Sequence, residues 1–203
     1  MILAVLASDL QKEEIAASAF FRKHVVHYSE NFSLWANHIA DAFMDLDFNP
    51  SAGRIESLAK LLPKPVLVNS VTGDLSQLHP DFIRINAWPG FLKGNLIEAA
   101  ANETIKARVS PLFGNDLVFV KDEPGFVSAR IVSMIINEAY FTWEAGTSSK
   151  EEIDIAMKLG TGYPFGPFEW ARMIGEERVA GLLLRLKEKN SLYELAEGLK
   201  AKA

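Results

Sequence analysis

Up to about Val120, apolar residues fall into short, mostly β-branched runs separated by stretches of helical spacing. Ile2 to Ala7 is unbroken and apolar, the pattern of a strand buried on both faces. A helix is predicted from Asp9 to Arg22, then a strand from His24 to Tyr28. Ala40 to Leu46 reads as a strand interrupted by Asp41 and Asp45. Pro50 and Ser51 open a helix that runs to Leu62, with Ile55, Leu58, Ala59 and Leu62 at helical spacing, and Pro63 and Pro65 close it. Val66 to Asn69, Ile83 to Trp88 and Leu117 to Val120 are the remaining predicted strands, with a helix over 102–112 before the last. Alternation of this kind predicts a parallel sheet with helices on both faces.

From Pro124 the period becomes helical throughout. Phe126 to Ala145 is one long segment without proline, stopped by Gly146. Residues Thr147 to Glu152 contain overlapping capping-box spacings, so a new helix starts there and ends at Gly160. Gly162, Pro164, Gly166 and Pro167 form a turn-rich connector, followed by helices at about 168–174, 177–189 and 192–200. The expected fold is therefore α/β, then all-α: a reduced Rossmann-like domain over 1–121 and a helical domain over 122–203. On the long helix, Val127, Ile131, Met134, Ile135, Ala139 and Trp143 form one apolar stripe. Val132, Ile136 and Tyr140 line much of the opposite side. A helix apolar nearly all round must be buried on more than one face, and about eighty residues offer it a small core.

Composition narrows the function. Of 203 residues, 49% are hydrophobic and the formal net charge is −5. With no basic cluster, the chain lacks what phosphate contacts with nucleic acid require. It has no cysteine, which removes disulfides, thiolate catalysis and cysteine-based zinc sites and fits a cytoplasmic location. No apolar segment reaches the roughly 20 residues of a membrane span. Met1 to Ala7 has no basic region before it and stops at Ser8-Asp9, unlike a signal peptide. Asp41, Asp45 and Asp47 alternate along one strand and raise the idea of a metal site, but a solvated edge explains them better, and no metal is expected. His24 and His27 would face opposite sides of a strand and cannot readily share a metal.

The run Asp122-Glu123-Pro124-Gly125-Phe126 at the start of the long helix, Glu138-Ala139 within it, then Ile153-Asp154, Ala156-Met157-Lys158-Leu159-Gly160 and Gly166-Pro167-Phe168-Glu169 follow one another in order. In order and spacing they resemble the helical dimerisation domain of the 3-hydroxyacyl-CoA dehydrogenases. The amino-terminal half resembles that family's nucleotide-binding domain at Asn69-Ser70-Val71-Thr72, Leu96-Ile97-Glu98 and Ala40-Asp41. The interval from Tyr28 to Ala40 is too short for the third strand and helical arm that the family places there. The resemblance implies a homodimer paired through the carboxy-terminal helices. It also implies an acyl-CoA ligand in a cleft that Tyr163, Phe165 and Phe168 would line, although such rings often simply pack a helix junction.

The family's chemistry is not matched. Its NAD lies over a glycine-rich turn after the first strand, with the pyrophosphate on a helix amino terminus. Here the turn reads Leu6-Ala7-Ser8-Asp9-Leu10-Gln11, without glycine, and Asp9 is placed to cap the helix and repel an anion. The family's general-base histidine falls on Asn86, which cannot take a proton. Its hydroxyl-positioning serine falls on Val71, with Thr72 beside it as a substitute, and its asparagine falls on Ala129. Glu98 alone matches. Arg172 stands where the family has an aspartate. The expectation is a degenerate member without bound cofactor that binds an acyl-CoA or acts as a regulatory or interaction protein. The alternative is an active NAD-dependent enzyme of fatty-acid metabolism that recruits Thr72, His79 or Glu98. A module that pairs with a full-length paralogue is a third reading.

Overall fold

In the computed structural model, which describes residues 1–29 and 32–202, the first apolar run becomes β1 (Ile2–Leu6) in the interior of a sheet. Leu3, Ala4 and Val5 there are fully buried. The described residues place seven strands side by side in the order β2 (Val25–Ser29), β1, β3 (Ala42–Asp45), β4 (Val66–Asn69), β5 (Ile83–Ile85), β6 (Ile97–Ala100), β7 (Leu117–Phe119). Neighbours run parallel except β5 and β6, which are antiparallel. The sheet is thus mostly rather than wholly parallel. β6, Ile97-Glu98-Ala99-Ala100, carries no strong strand pattern, and its pairing with β5 makes it a strand.

Each face of the sheet is covered. Ile15 of α1 (Asp9–Ala17) and Ile105, Val109 and Phe113 of α4 (Glu103–Phe113) join Leu3, Val5, Met44 and Ile85 in one apolar cluster. Trp35 of α2 (Phe32–Trp35) and Leu58 of α3 (Ala52–Ala59) join Ala4, Phe43, Val66 and Val68 in the other. α1 stops short of the predicted Arg22. Ser18 turns extended and its hydroxyl donates to Gly94 O at 3.0 Å, which sends Phe20 and Phe21 into the core. Because β2 and β3 flank β1 on opposite sides, the chain reverses its winding direction there. In a doubly wound sheet that reversal opens a crevice at the carboxyl ends of the two diverging strands.

The chain divides into Met1–Phe126 and Val127–Ala203, slightly beyond the 121/122 junction expected. Buried Arg84 accounts for the difference. Its guanidinium pairs with Asp122, donates from Nε to Ser70 O at 2.9 Å and lies 4.6 Å over the Phe126 ring. Gly125, at φ 83, donates its N–H to Val71 O at 2.7 Å. The Asp-x-Pro-Gly-Phe run is therefore fastened to the ends of β4 and β5.

Within Val127–Ala203, the helices are α5 (Ser128–Glu144), α6 (Lys150–Thr161), α7 (Pro167–Ile174), α8 (Glu176–Lys187) and α9 (Glu197–Lys200). α5 buries Val132, Ile136, Ala139 and Tyr140, while Val127 and Ile131 are half exposed at 50% and 55%. Asn137 clamps the carboxy-terminal segment, donating to Glu194 O at 2.7 Å and accepting Ala196 N–H at 3.0 Å. Ser149 and Glu152 form the capping box expected of α6. The Gly166-Pro167-Phe168-Glu169 run has a steric cause. A Cβ on Gly166 would collide with the Asp154 carboxyl group. That carboxylate accepts the Phe168 N–H at 2.8 Å, and Glu169 reaches back to Gly166 N–H at 2.9 Å.

Candidate functional site

The crevice beside β1 begins at Leu6-Ala7-Ser8, and the cap of α1 is Ser8 rather than Asp9. Ser8 Oγ accepts from Gln11 N at 3.4 Å, and Gln11 Oε1 accepts from Ser8 N at 3.0 Å, so cap and third residue satisfy each other. Asp9 sits in the first turn, its side chain in solvent, paired with Lys12 at 3.0 Å. Its carboxylate favours the helix dipole without occupying the cap. Leu6, Ala7, Ser8, Asp9, Lys12 and Asp47 line a hollow of about 440 Å³ at the ends of β1 and β3.

Beneath it lies polar bracing that hydropathy patterning missed. Gln11 Nε2 donates to Ala87 O at 3.0 Å and Leu46 O at 3.3 Å. Asn69 Nδ2 reaches the same two carbonyls, and Asn69 Oδ1 accepts Ala87 N–H at 3.0 Å. Glu14, 1% exposed, accepts the N–H groups of Gly90 and Leu92. α1 thus turns Gln11 and Glu14 inward while Leu10 is 40% exposed. The one signal available was two polar residues, three apart, on the helix face that carries Ile15.

Asn86 and Glu98 meet across β5 and β6. β5 and β6 run antiparallel, Asn86 N–H donates to Glu98 O at 3.0 Å, and Asn86 Nδ2 donates to Glu98 Oε2 at 3.2 Å. Asn86 is 2% exposed and Glu98 half-buried. An amide and a carboxylate in this geometry can orient a polar group but hold no proton-accepting imidazole. Val71 is buried, and its carbonyl serves Gly125 and Arg84. Thr72 next to it is exposed in the turn after β4. Ala129 is fully buried and offers no side-chain donor.

The three aspartates do not converge. Asp45 is fully buried and accepts two hydrogen bonds from Arg54, at 2.7 and 2.9 Å; burial raises its carboxyl pKa, and Arg54 opposes that. Asp41 accepts Ile2 N–H at 2.7 Å, and Asp47 lines the hollow. No cluster of three metal-ligating side chains occurs among the described residues. His24 ends the turn before β2, and the ring of His27 lies 6.0 Å from that of His38. His79 Nδ1 accepts Asp81 N–H at 3.1 Å.

In the connector, Phe168 is buried with its ring 5.0 Å from Tyr140, and Tyr163 and Phe165 each lie 5.8 Å from Trp170. These rings pack the helix junction. Arg172 stands 3.7 Å from Asp154. A separate apolar groove of about 400 Å³ runs between α5 and α6, with Ile135, Ala139, Ile153, Ala156 and Met157 along it. Among the described residues no helix is long and apolar enough to cross a membrane.

Residues 125–198 match the 3-hydroxyacyl-CoA dehydrogenase, C-terminal domain family. The chain is 47% identical over 66 residues to the mitochondrial hydroxyacyl-coenzyme A dehydrogenase of Homo sapiens, covering 32% of this chain and 21% of that protein. It is 40% identical over 74 residues to the 3-hydroxyadipyl-CoA dehydrogenase of Escherichia coli, covering 36% of this chain and 16% of that protein. The matched segment is thus a fraction of each relative's length. The crystal structure of (S)-3-hydroxybutyryl-CoA dehydrogenase from Ralstonia eutropha superposes with a TM-score of 0.68 at 18% identity, covering 98% of this chain and 92% of that one. At that identity the likeness concerns the fold.

Proposed function

The chain belongs to the 3-hydroxyacyl-CoA dehydrogenase family through its carboxy-terminal domain, and on that premise we propose that it is a member without hydride-transfer chemistry: a dimeric, cytoplasmic acyl-CoA-binding protein. The capped turn after β1 carries this reading. A pyrophosphate on α1 would need backbone approach and unsatisfied N–H groups. Ala7 and Ser8 put Cβ atoms at the turn, and Ser8 and Gln11 use each other's backbone N–H. These residues do not fit NAD bound in the family's manner.

The absence of a base points the same way. Removing a proton from a hydroxyl near neutral pH calls for a group such as imidazole, and the partner of Glu98 is an amide. What supports dimerisation is the half-exposed pair of Val127, at the start of α5, and Ile131 on it, with the apolar groove beside Ile135. An exposed apolar stripe of this kind suits an isologous contact.

Titration of NADH against the protein, followed by fluorescence, tests the first part; no saturable binding is expected in the micromolar range. Calorimetric titration with acetoacetyl-CoA tests the second, with saturable binding expected. Micromolar NADH binding, or oxidation of NADH in the presence of acetoacetyl-CoA that Glu98→Ala abolishes, would establish the active-enzyme reading instead.

A further inference from the structure

Two imidazoles that the reading above leaves unused meet on the face of the sheet that α2 covers. His27 lies in the middle of β2, opposite Ala4 of β1. Paired residues of neighbouring parallel strands project to the same face, and Ala4 packs in the cluster that holds Trp35 of α2. His27 therefore points to the α2 side. His38 stands just past Trp35, on the connection that leads from α2 to β3. The two rings are 6.0 Å apart, centre to centre. Spacing along the chain sets His24 beside His27; the crossover through α2 is what brings His38 to His27 instead.

The backbone that carries each ring is held in place. β2 stays in unbroken register with β1, from Ile2↔Val25 to Leu6↔Ser29. Beyond α2, His38 N–H donates to Trp35 O at 3.1 Å. A turn further on, Asp41 exchanges two hydrogen bonds with Ile2: its N–H donates to Ile2 O at 2.8 Å, and its carboxylate accepts Ile2 N–H at 2.7 Å. The short segment around His38 is thus tied at both ends to elements that pack on β1. Only side-chain rotation is needed to aim the two rings at one point. His27 is exposed and His38 half-buried, so an ion can enter from solvent. Among the described residues no hydrogen bond or ion pair engages either ring.

We propose that His27 and His38 form a binding site for a divalent transition-metal ion of the zinc class. Imidazole is the commonest protein ligand of such ions, and it selects zinc, copper or nickel over magnesium or calcium. A zinc–nitrogen bond of about 2.1 Å puts the centres of two rings on one ion roughly 5–6 Å apart. The 6.0 Å separation lies at the upper end of that range, and binding closes it slightly. Among the described residues no third histidine, aspartate or glutamate joins the pair. Water therefore takes the remaining positions, and the ion is exchangeable, unlike a structural zinc with four protein ligands. The ion pins β2 to the connection between α2 and β3, and the preformed pair exists only in the folded chain. An ion that prefers the folded state raises its stability by mass action.

Calorimetric titration of the full chain with zinc chloride is expected to show saturable binding of a single ion, which excess magnesium, an oxygen-seeking ion, does not displace. Zinc is expected to raise the urea midpoint of the parent, and a chelator to reverse the shift. His27→Gln and His38→Gln each keep a polar side chain and remove one imidazole. Each is expected to weaken binding at least about tenfold, the loss that removing even a hydrogen-bond partner behind a metal ligand brings, and to abolish the midpoint shift. Circular dichroism reports whether each variant folds; His27 is exposed, so His27→Gln carries the test should His38→Gln misfold. The proposal is overturned if the parent shows no saturable zinc binding, or if folded His27→Gln binds zinc as the parent does. Binding of several ions that both variants retain, the mark of adsorption to surface carboxylates, overturns it equally. None of these readouts involves acyl-CoA or NADH, so the outcome is independent of the function proposed above.

Discussion

Asn86 donates to Glu98 Oε2 at 3.2 Å and accepts the Trp88 N–H on its Oδ1 at 3.4 Å, which fixes the amide in one orientation. The carboxylate therefore faces an N–H donor locked in place by the backbone two residues on. Asn86→His would put imidazole beside that carboxylate. With the turn after β1 still capped, the variant is expected to show no NADH oxidation with acetoacetyl-CoA. Measurable turnover would overturn the proposal that the turn after β1 excludes NAD.

Ser8→Ala removes the acceptor of Gln11 N–H and half of the capping box. Loss of such a cap costs about 1 kcal/mol, which urea denaturation followed by circular dichroism would register as a lower midpoint with unchanged slope.

Arg84 is fully buried, while the side chain of Asp122 is 30% exposed. Asp122→Ala leaves the guanidinium with only the Ser70 and Val71 carbonyls. Breaking a buried pair from one side costs about 3 kcal/mol, here at the lower end of the usual range because Asp122 is partly solvated. Arg84→Met, which removes the charge with its stem retained, is expected to cost less than Asp122→Ala in the same denaturation experiment.

Both ring nitrogens of His24 are buried without a hydrogen-bond partner, with the ring against Phe20 and Phe113. Burial lowers its pKa below the ordinary imidazole value, with Asp116 opposing. The unfolded chain thus binds this proton more readily than the folded one. The contribution of neutral His24 to stability is complete above the unfolded value of about 6.5 and is lost as pH falls through the lowered folded value. Stability should decline on acidification from about pH 7.5 to about pH 5, a window that brackets the unfolded value, and His24→Phe should flatten that decline.

Ile131 is 55% exposed on α5, so Ile131→Glu should leave the helical fold intact. Placed in the proposed helical contact, a carboxylate is expected to weaken association at least tenfold, about 1.4 kcal/mol, read by sedimentation equilibrium.

The helical half was legible from sequence because its determinants are local. A capping serine three residues before Glu152, a glycine where Asp154 leaves no room for a Cβ and a proline opening α7 each act within a few turns of the chain. The buried face of α5 was less clear: both stripes are apolar, and only the packing of the helices around it leaves Ile136 buried and Ile131 half exposed. The cap of α1 was placed one residue late, at Asp9, since serine and aspartate in sequence are equally good caps and only the backbone conformation separates them.

The succession of strands along the chain, the glycine-free turn after β1 and the asparagine at position 86 are properties of the residues themselves, readable before any fold is drawn. The inward turn of Gln11 and Glu14, the antiparallel entry of β6 and the burial of Arg84 are not, because the groups that satisfy them come from distant parts of the chain. Gln11 reaches Ala87 across 76 positions, and Arg84 reaches Asp122 across 38. A polar side chain enters a core only when its partners are already there, and chain closure over such distances is decided by the packed whole.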